Sequence, residues 1–225
     1  GWLRCIQSKS ERGREYRYLA KKCRGLKLKK INISPAIEGI IFDCDGTLAD
    51  TMPLHWEAWH ETLDFFSAEC PQDFLEVLKG VPTKTIVEKI NKSFGYVLDP
   101  NLFSEEKERR LLSKLHRVKS IQPVEDLARE YKDILPMAVA SGSLRDSVLE
   151  TLKGIEMDDF FDTVITATDA VSPKPDPDIF LEAAKRIQIK PENCLVLEDS
   201  DAGIEAAIKA GMHFIDVRPT LTYKK

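Results

Sequence analysis

No apolar run in the 225-residue chain is long enough to cross a bilayer, so a membrane-spanning helix is not expected. There is no CxxC pair either. The five cysteines, Cys5, Cys23, Cys44, Cys70 and Cys194, are scattered and odd in number. That argues against a disulfide framework or a cysteine zinc site, and for free thiols in a reducing, cytoplasmic compartment. The amino-terminal stretch lacks the apolar centre of a secretory signal, and no internal repeat or low-complexity segment is found. What remains is an ordinary globular composition, 43% hydrophobic and 31% charged. Its length suits one large domain, or a core domain carrying a smaller insertion.

The formal charge of −4 conceals a split. Residues 1–36 hold eleven Lys/Arg against Glu11 and Glu15, a local charge of +9, so residues 37–225 carry −13. An acidic body argues against nucleic acid as a partner of the main domain. The basic arm, residues 1–36, reads as a solvated extension. Two sharper readings stay open, an organelle-targeting segment and a polybasic contact with an anionic surface.

The informative stretch is Ile40-Ile41-Phe42-Asp43-Cys44-Asp45-Gly46-Thr47. A short apolar run that ends abruptly in carboxylates reads as a buried parallel strand delivering charge to the carboxyl edge of a sheet. Gly46 lets the chain turn at once, so Asp43 and Asp45 can reach one small volume from different directions. Close carboxylates need a cation between them or a retained proton, and either is the start of chemistry. The bland alternative is a simple Asp-Gly turn.

Helical periodicity then holds for about seventy residues. Helices are expected from Pro53 through Phe66, over Gln72 to Lys79, over Thr83 to Phe94, and over Ser104 to Arg117 with Ser104 as its opening residue. From Ile121 strands and helices alternate. Strands are expected at Met137 to Ala140, Thr163 to Thr166, Cys194 to Leu197 and His213 to Val217. The helices between them run over Val124 to Lys132, Leu144 to Lys153 stopped by Gly154, Pro177 to Ile187, and Ala202 to Ala210 stopped by Gly211. The pattern implies an α/β fold: a Rossmann-like parallel sheet with helices on both faces, plus an inserted small helical cap domain. The expected division is a core of 37–50 and 119–225, with a cap of 51–118.

Each expected strand ends in polar residues on one edge: Asp43 and Asp45, then Ser141-Gly142-Ser143, then Lys174 in Ser-Pro-Lys-Pro-Asp, then Glu198-Asp199-Ser200-Asp201. Singly each has a structural reading. Ser141 could cap the helix that follows, Lys174 could pair with Asp176 at the surface, and the acids could favour a helix dipole. Asp201 is assigned to that last role, and Cys44 to core packing.

In order and spacing, DCDGT, ASGS, SPKPD and VLEDSDAG resemble the four motifs of the haloacid dehalogenase superfamily of phosphotransferases, over roughly residues 38–218. Within it the chain is similar to the β-phosphoglucomutase-like subgroup and to sugar-phosphate phosphatases of the fructose-1-phosphate type. The resemblance implies Asp43 as nucleophile and Asp45 as general acid and base. It implies Mg²⁺ held by Asp43, Asp199 and the Asp45 main chain, with Glu198 acting directly or through water. Ser141, Gly142 and Lys174 would bind phosphoryl oxygens. Asp45 itself favours a phosphate ester, since sister dehalogenases and phosphonate hydrolases lack a carboxylate there. His55, Trp59, Lys79 and Lys107 resemble cap positions of the subgroup, and the expected partner is a small phosphorylated metabolite bound by a monomer. Thr83 stands where mutases carry an arginine for a second phosphate, which favours hydrolysis, although Lys84 is adjacent. A phosphosugar mutase, or a non-catalytic binding protein on the same fold, is the alternative.

Overall fold

The computed structural model describes residue 31 and residues 33–78 and 81–218. The expected arm therefore lies almost wholly outside the described residues, as does Lys79.

Five strands form one parallel sheet: β1 (Gly39–Phe42), β2 (Met137–Ala140), β3 (Thr163–Ile165), β4 (Cys194–Glu198) and β5 (His213–Asp216), in the order β3-β2-β1-β4-β5. Ile40 stands beside Met137 on one side and Leu195 on the other, which makes β1 the central strand. It is completely buried, as a strand covered on both faces must be. Successive side chains alternate: Ile40 and Phe42 join one apolar core with Met137, Val139, Leu195 and Leu197, while Ile41 joins another with Ala138, Ala140 and Val196. The crossovers run outward from β1 to β3 on one side and to β5 on the other. The switch point, where ligands bind in open α/β sheets, therefore lies at the carboxyl ends of β1 and β4.

Between β1 and β2 come α1 (Met52–Phe65), α2 (Gln72–Glu76), α3 (Thr83–Phe94) and α4 (Pro100–Leu112), then a 3-10 turn at Leu115–Arg117 and α5 (Gln122–Tyr131). Trp59, Leu63, Ile86, Val87, Ile90 and Phe103 give the inserted helices an apolar core of their own. Leu54, Ala58 and Leu111 instead join the core under the sheet, so α1 and α4 are packed on both sides. The chain leaves and returns through one antiparallel bridge, Ala49 opposite Ser120, closed by the Asp50 N–H on the Lys119 carbonyl at 2.8 Å and the Ile121 N–H on the Leu48 carbonyl at 2.8 Å. The remaining helices are α6 (Arg145–Gly154), α7 (Asp178–Arg186) and α8 (Asp201–Lys209).

Two local expectations are corrected. The helix expected to open at Ser104 begins a turn earlier, because the Asp99 carboxylate accepts from the Asn101 and Leu102 N–H groups at 2.7 and 3.1 Å, and Pro100 suits the first helical position. Gly154 is not a left-handed stop. It is the last helical residue, and a Cβ there would lie 2.7 Å from Val118 Cγ1 and 2.9 Å from the Leu115 carbonyl oxygen, so its smallness lets α6 approach the 3-10 turn. Gly211, at φ +70°, does end α8 as expected.

Candidate active site

Three loops put charge at the end of β1. Asp43 follows the last residue of the strand and is tied down by its N–H on the Leu197 carbonyl at 3.0 Å. The Lys174 ammonium donates to Asp43 Oδ1 at 2.6 Å and to Glu198 Oε2 at 2.7 Å, with 9% or less of each of the three side chains exposed. This excludes the surface pair with Asp176. Glu198 is also engaged at its other oxygen, Oε1, which accepts from the Asp199 N–H, the Ser200 N–H and the Ser200 hydroxyl at 3.1, 2.9 and 2.8 Å.

Asp199 completes the cluster. Oxygens of Asp43, Glu198 and Asp199 lie within 4.8 Å of one another, and the Thr47 hydroxyl stands 3.4 Å from Asp199 Oδ1. Two glycines make room for these carboxylates. A Cβ on Gly46, at φ +85°, would lie 2.3 Å from Asp199 Oδ2, and one on Gly203 would lie 2.0 Å from Glu198 Oε2. The set consists of hard oxygen donors, and three carboxylates face one ammonium. That is a fit for Mg²⁺, which prefers few protein ligands and keeps several waters. Burial, followed by the charge of Glu198, raises the proton affinity of Asp43 well above the carboxylate range, and Lys174 only partly opposes them. Burial also works against the charge on Lys174, but Asp43 and Glu198 outweigh it and hold the ammonium above its ordinary range.

Asp45 sits in different surroundings. Its Oδ1 accepts from the Thr51 hydroxyl at 2.7 Å and lies 3.5 Å from His55 Nε2; its Oδ2 accepts from the Ser143 hydroxyl at 2.5 Å, with Ser141 Oγ at 3.4 Å. Burial disfavours this carboxylate, yet His55, Ser143 and Thr51 together hold it below the usual range. The two aspartates are thus pushed in opposite directions: without a cation Asp43 is the one favoured to hold a proton and Asp45 the one held ionised, and positive charge placed among Asp43, Glu198 and Asp199 would favour the Asp43 anion. Ser141 also accepts from the Ser143 N–H at 3.1 Å, a local turn rather than a helix cap, since α6 is preceded by Leu144 without a side-chain cap. Gly142 is exposed at the rim, and Cys44 is wholly buried in the core, as expected.

Of the expected cap residues, two converge on Asp45. Lys107, only 5% exposed, places Nζ 3.0 Å from His55 Nδ1. Trp59 is not at the site: it is buried against Phe103, ring centroids 5.4 Å apart. Sequence reasoning missed the roles of Thr51, Ser143 and Thr47. Thr51 and Thr47 lie in the stretch that carries the aspartates, but a hydroxyl six residues from its partner has no periodic signature. Two open clefts, about 360 Å³ between residues 132–137 and 159–162 and about 370 Å³ beside Glu61 and Arg110, do not touch these residues.

The family described as Haloacid dehalogenase-like hydrolase matches residues 40–217. Fructose-1-phosphate phosphatase YqaB of Escherichia coli (strain K12) is 36% identical over 180 residues, covering 80% of this chain and 96% of that protein. Beta-phosphoglucomutase of Bacillus subtilis (strain 168) is 29% identical over 191 residues, with 80% and 83% covered. Among solved structures, CbbY from Rhodobacter sphaeroides in complex with phosphate superposes with a TM-score of 0.71 at 25% identity, covering 79% of this chain and 84% of that one.

Proposed function

The chain belongs to the haloacid dehalogenase-like hydrolases, and from that membership we propose that it is a Mg²⁺-dependent phosphatase of a small sugar or polyol phosphate. The observation that carries the reading is the buried Asp43–Lys174–Glu198 cluster with Asp199 against it, at the switch point of the sheet. YqaB and a phosphorylated carbohydrates phosphatase from Thermotoga maritima, 27% identical, support the substrate class.

Asp43 attacks phosphorus, the bond from phosphorus to the substrate oxygen breaks, and an aspartyl-phosphate forms. Because its neighbours hold Asp45 ionised in the free site, it must first take up a proton, which can enter with the substrate as the phosphate monoanion; it delivers that proton to the leaving alkoxide, then takes one from the water that cleaves the intermediate. The Lys174 ammonium, Ser141 Oγ and the Gly142 N–H hold phosphoryl oxygens. Asp43, Asp199 and the main-chain carbonyl of Asp45 would hold Mg²⁺, with Glu198 acting directly or through water. What Mg²⁺ supplies when bound is positive charge against the transferring oxygens, and stabilisation of that kind commonly lowers the barrier more than any other single effect in such reactions. Residues 51–118 serve as a cap that excludes water, with His55 and Lys107 beneath it.

Two measurements bear on this. A panel of metabolite phosphates with Mg²⁺ should show inorganic phosphate released from sugar monophosphates. Isomerisation dependent on a bisphosphate primer would instead make the chain a mutase, and no turnover of any ester would refute the reading. Adding Mg²⁺ to about one hundred times its dissociation constant should raise stability by about 2.7 kcal/mol. For a chain this size that is a rise of about 5–10 °C in Tm. Asp199→Asn should remove most of the rise. Asp201→Asn, altering an exposed side chain paired with Arg218, should not.

A further inference from the structure

Lys107 and Glu108 are consecutive on α4, so their side chains leave the helix about 100° apart. One turns to His55 of α1. The other accepts a hydrogen bond from the buried Ser147 hydroxyl on α6. Glu108 is half-buried, and its bond to Ser147 ties α4 to α6 next to the buried Lys107. Among the described residues the buried Lys107 ammonium has no ion pair to a carboxylate, and its hydrogen bond goes to a neutral ring nitrogen. Burial lowers its proton affinity, and the nearby charge of Glu108 is what most opposes that loss. An ammonium on Nδ1 leaves His55 with its hydrogen on Nε2, facing Asp45 Oδ1. The series Ser147, Glu108, Lys107, His55, Asp45 and Ser143 therefore starts and ends on the same segment of chain, four residues apart.

We infer that Glu108, anchored by Ser147, is a positioning residue that holds α4 against α6 so that Lys107 stays aimed at His55, and so fixes the orientation of Asp45. The inference rests on the proposed role of Asp45 in proton transfer, but its test does not depend on that role alone. With p-nitrophenyl phosphate and Mg²⁺, Glu108→Ala and Ser147→Ala should each lower kcat about tenfold and leave KM within about threefold. The double variant should be no worse than the worse single one, because both remove one contact. Ser147→Thr should restore kcat to within about threefold of the parent. Independently of turnover, nitrogen-15 spectra of the metal-free protein should show His55 as the single Nε2–H tautomer, and a mixture in Glu108→Ala. Ser147→Ala carries the same tautomer test should Glu108→Ala not fold. An unchanged His55 ring in these variants, or additive losses of kcat, would overturn the inference. A parent protein inactive on every ester would refute the function while leaving the tautomer experiment to decide the coupling.

Discussion

Asp43→Asn should reduce turnover by at least about 10⁴-fold while the protein stays folded. The amide is isosteric with the carboxylate but cannot form the acyl-phosphate, and Lys174 keeps its second partner, Glu198, at 2.7 Å. The substitution removes one of three clustered carboxylates, at the position where burial and Glu198 already disfavour the anion. Tm should accordingly hold or rise in the absence of a divalent ion, and the stabilisation by Mg²⁺ should shrink. Substantial retained turnover, with the variant verified by mass, would take Asp43 out of its role.

Lys174→Met should have the largest effect on stability. Removing one partner of a buried ion pair leaves the other charge uncompensated, at a cost of about 3–5 kcal/mol. In a chain of this size that lowers Tm by about 6–20 °C. Here two carboxylates, Asp43 and Glu198, lose their ammonium together. The deficit should depend on pH with a definite sign. Burial and Glu198 already raise the proton affinity of Asp43, and without Lys174 nothing comparable opposes them. A carboxylate whose folded-state pKa is raised contributes stability at low pH that is lost as pH rises through the folded value. The variant should therefore approach the parent in acid and fall behind towards neutrality. Melting curves across that range check it; a deficit independent of pH would show that the loss does not come from the two carboxylates, and would point instead to the Phe180 ring, whose centroid lies 4.9 Å from the ammonium.

The fold is legible in the sequence because apolar runs and strand-end carboxylates are one-dimensional signals. β2 falls on the expected Met137 to Ala140 and α3 on Thr83 to Phe94, since each is bounded by its own turn or proline residues. Asp99-Pro100 is an equally readable helix start, but Ser104 competes with it because its acidic followers imitate a first turn. Gly154 cannot be read correctly from the sequence: its purpose is a neighbour thirty-six residues away, Val118, and only the fold brings the two together. The site divides the same way. Asp43, Asp45, Lys174 and Glu198-Asp199 stand out as charge at strand ends. The hydroxyls of Thr51 and Ser143 on Asp45, and of Ser147 on Glu108, are polar residues whose partners are set by tertiary packing.

The chemical claim beneath the whole account is that a phosphoryl group passes through Asp43. Acid quenching during steady-state turnover of a sugar phosphate with Mg²⁺, followed by peptide mass analysis, tests it most directly. The peptide containing Asp43 should carry one phosphoryl group, lost once substrate is exhausted and absent from Asp43→Asn. An active enzyme whose Asp43 peptide is never modified, or a phosphoryl group on another residue, would contradict the account.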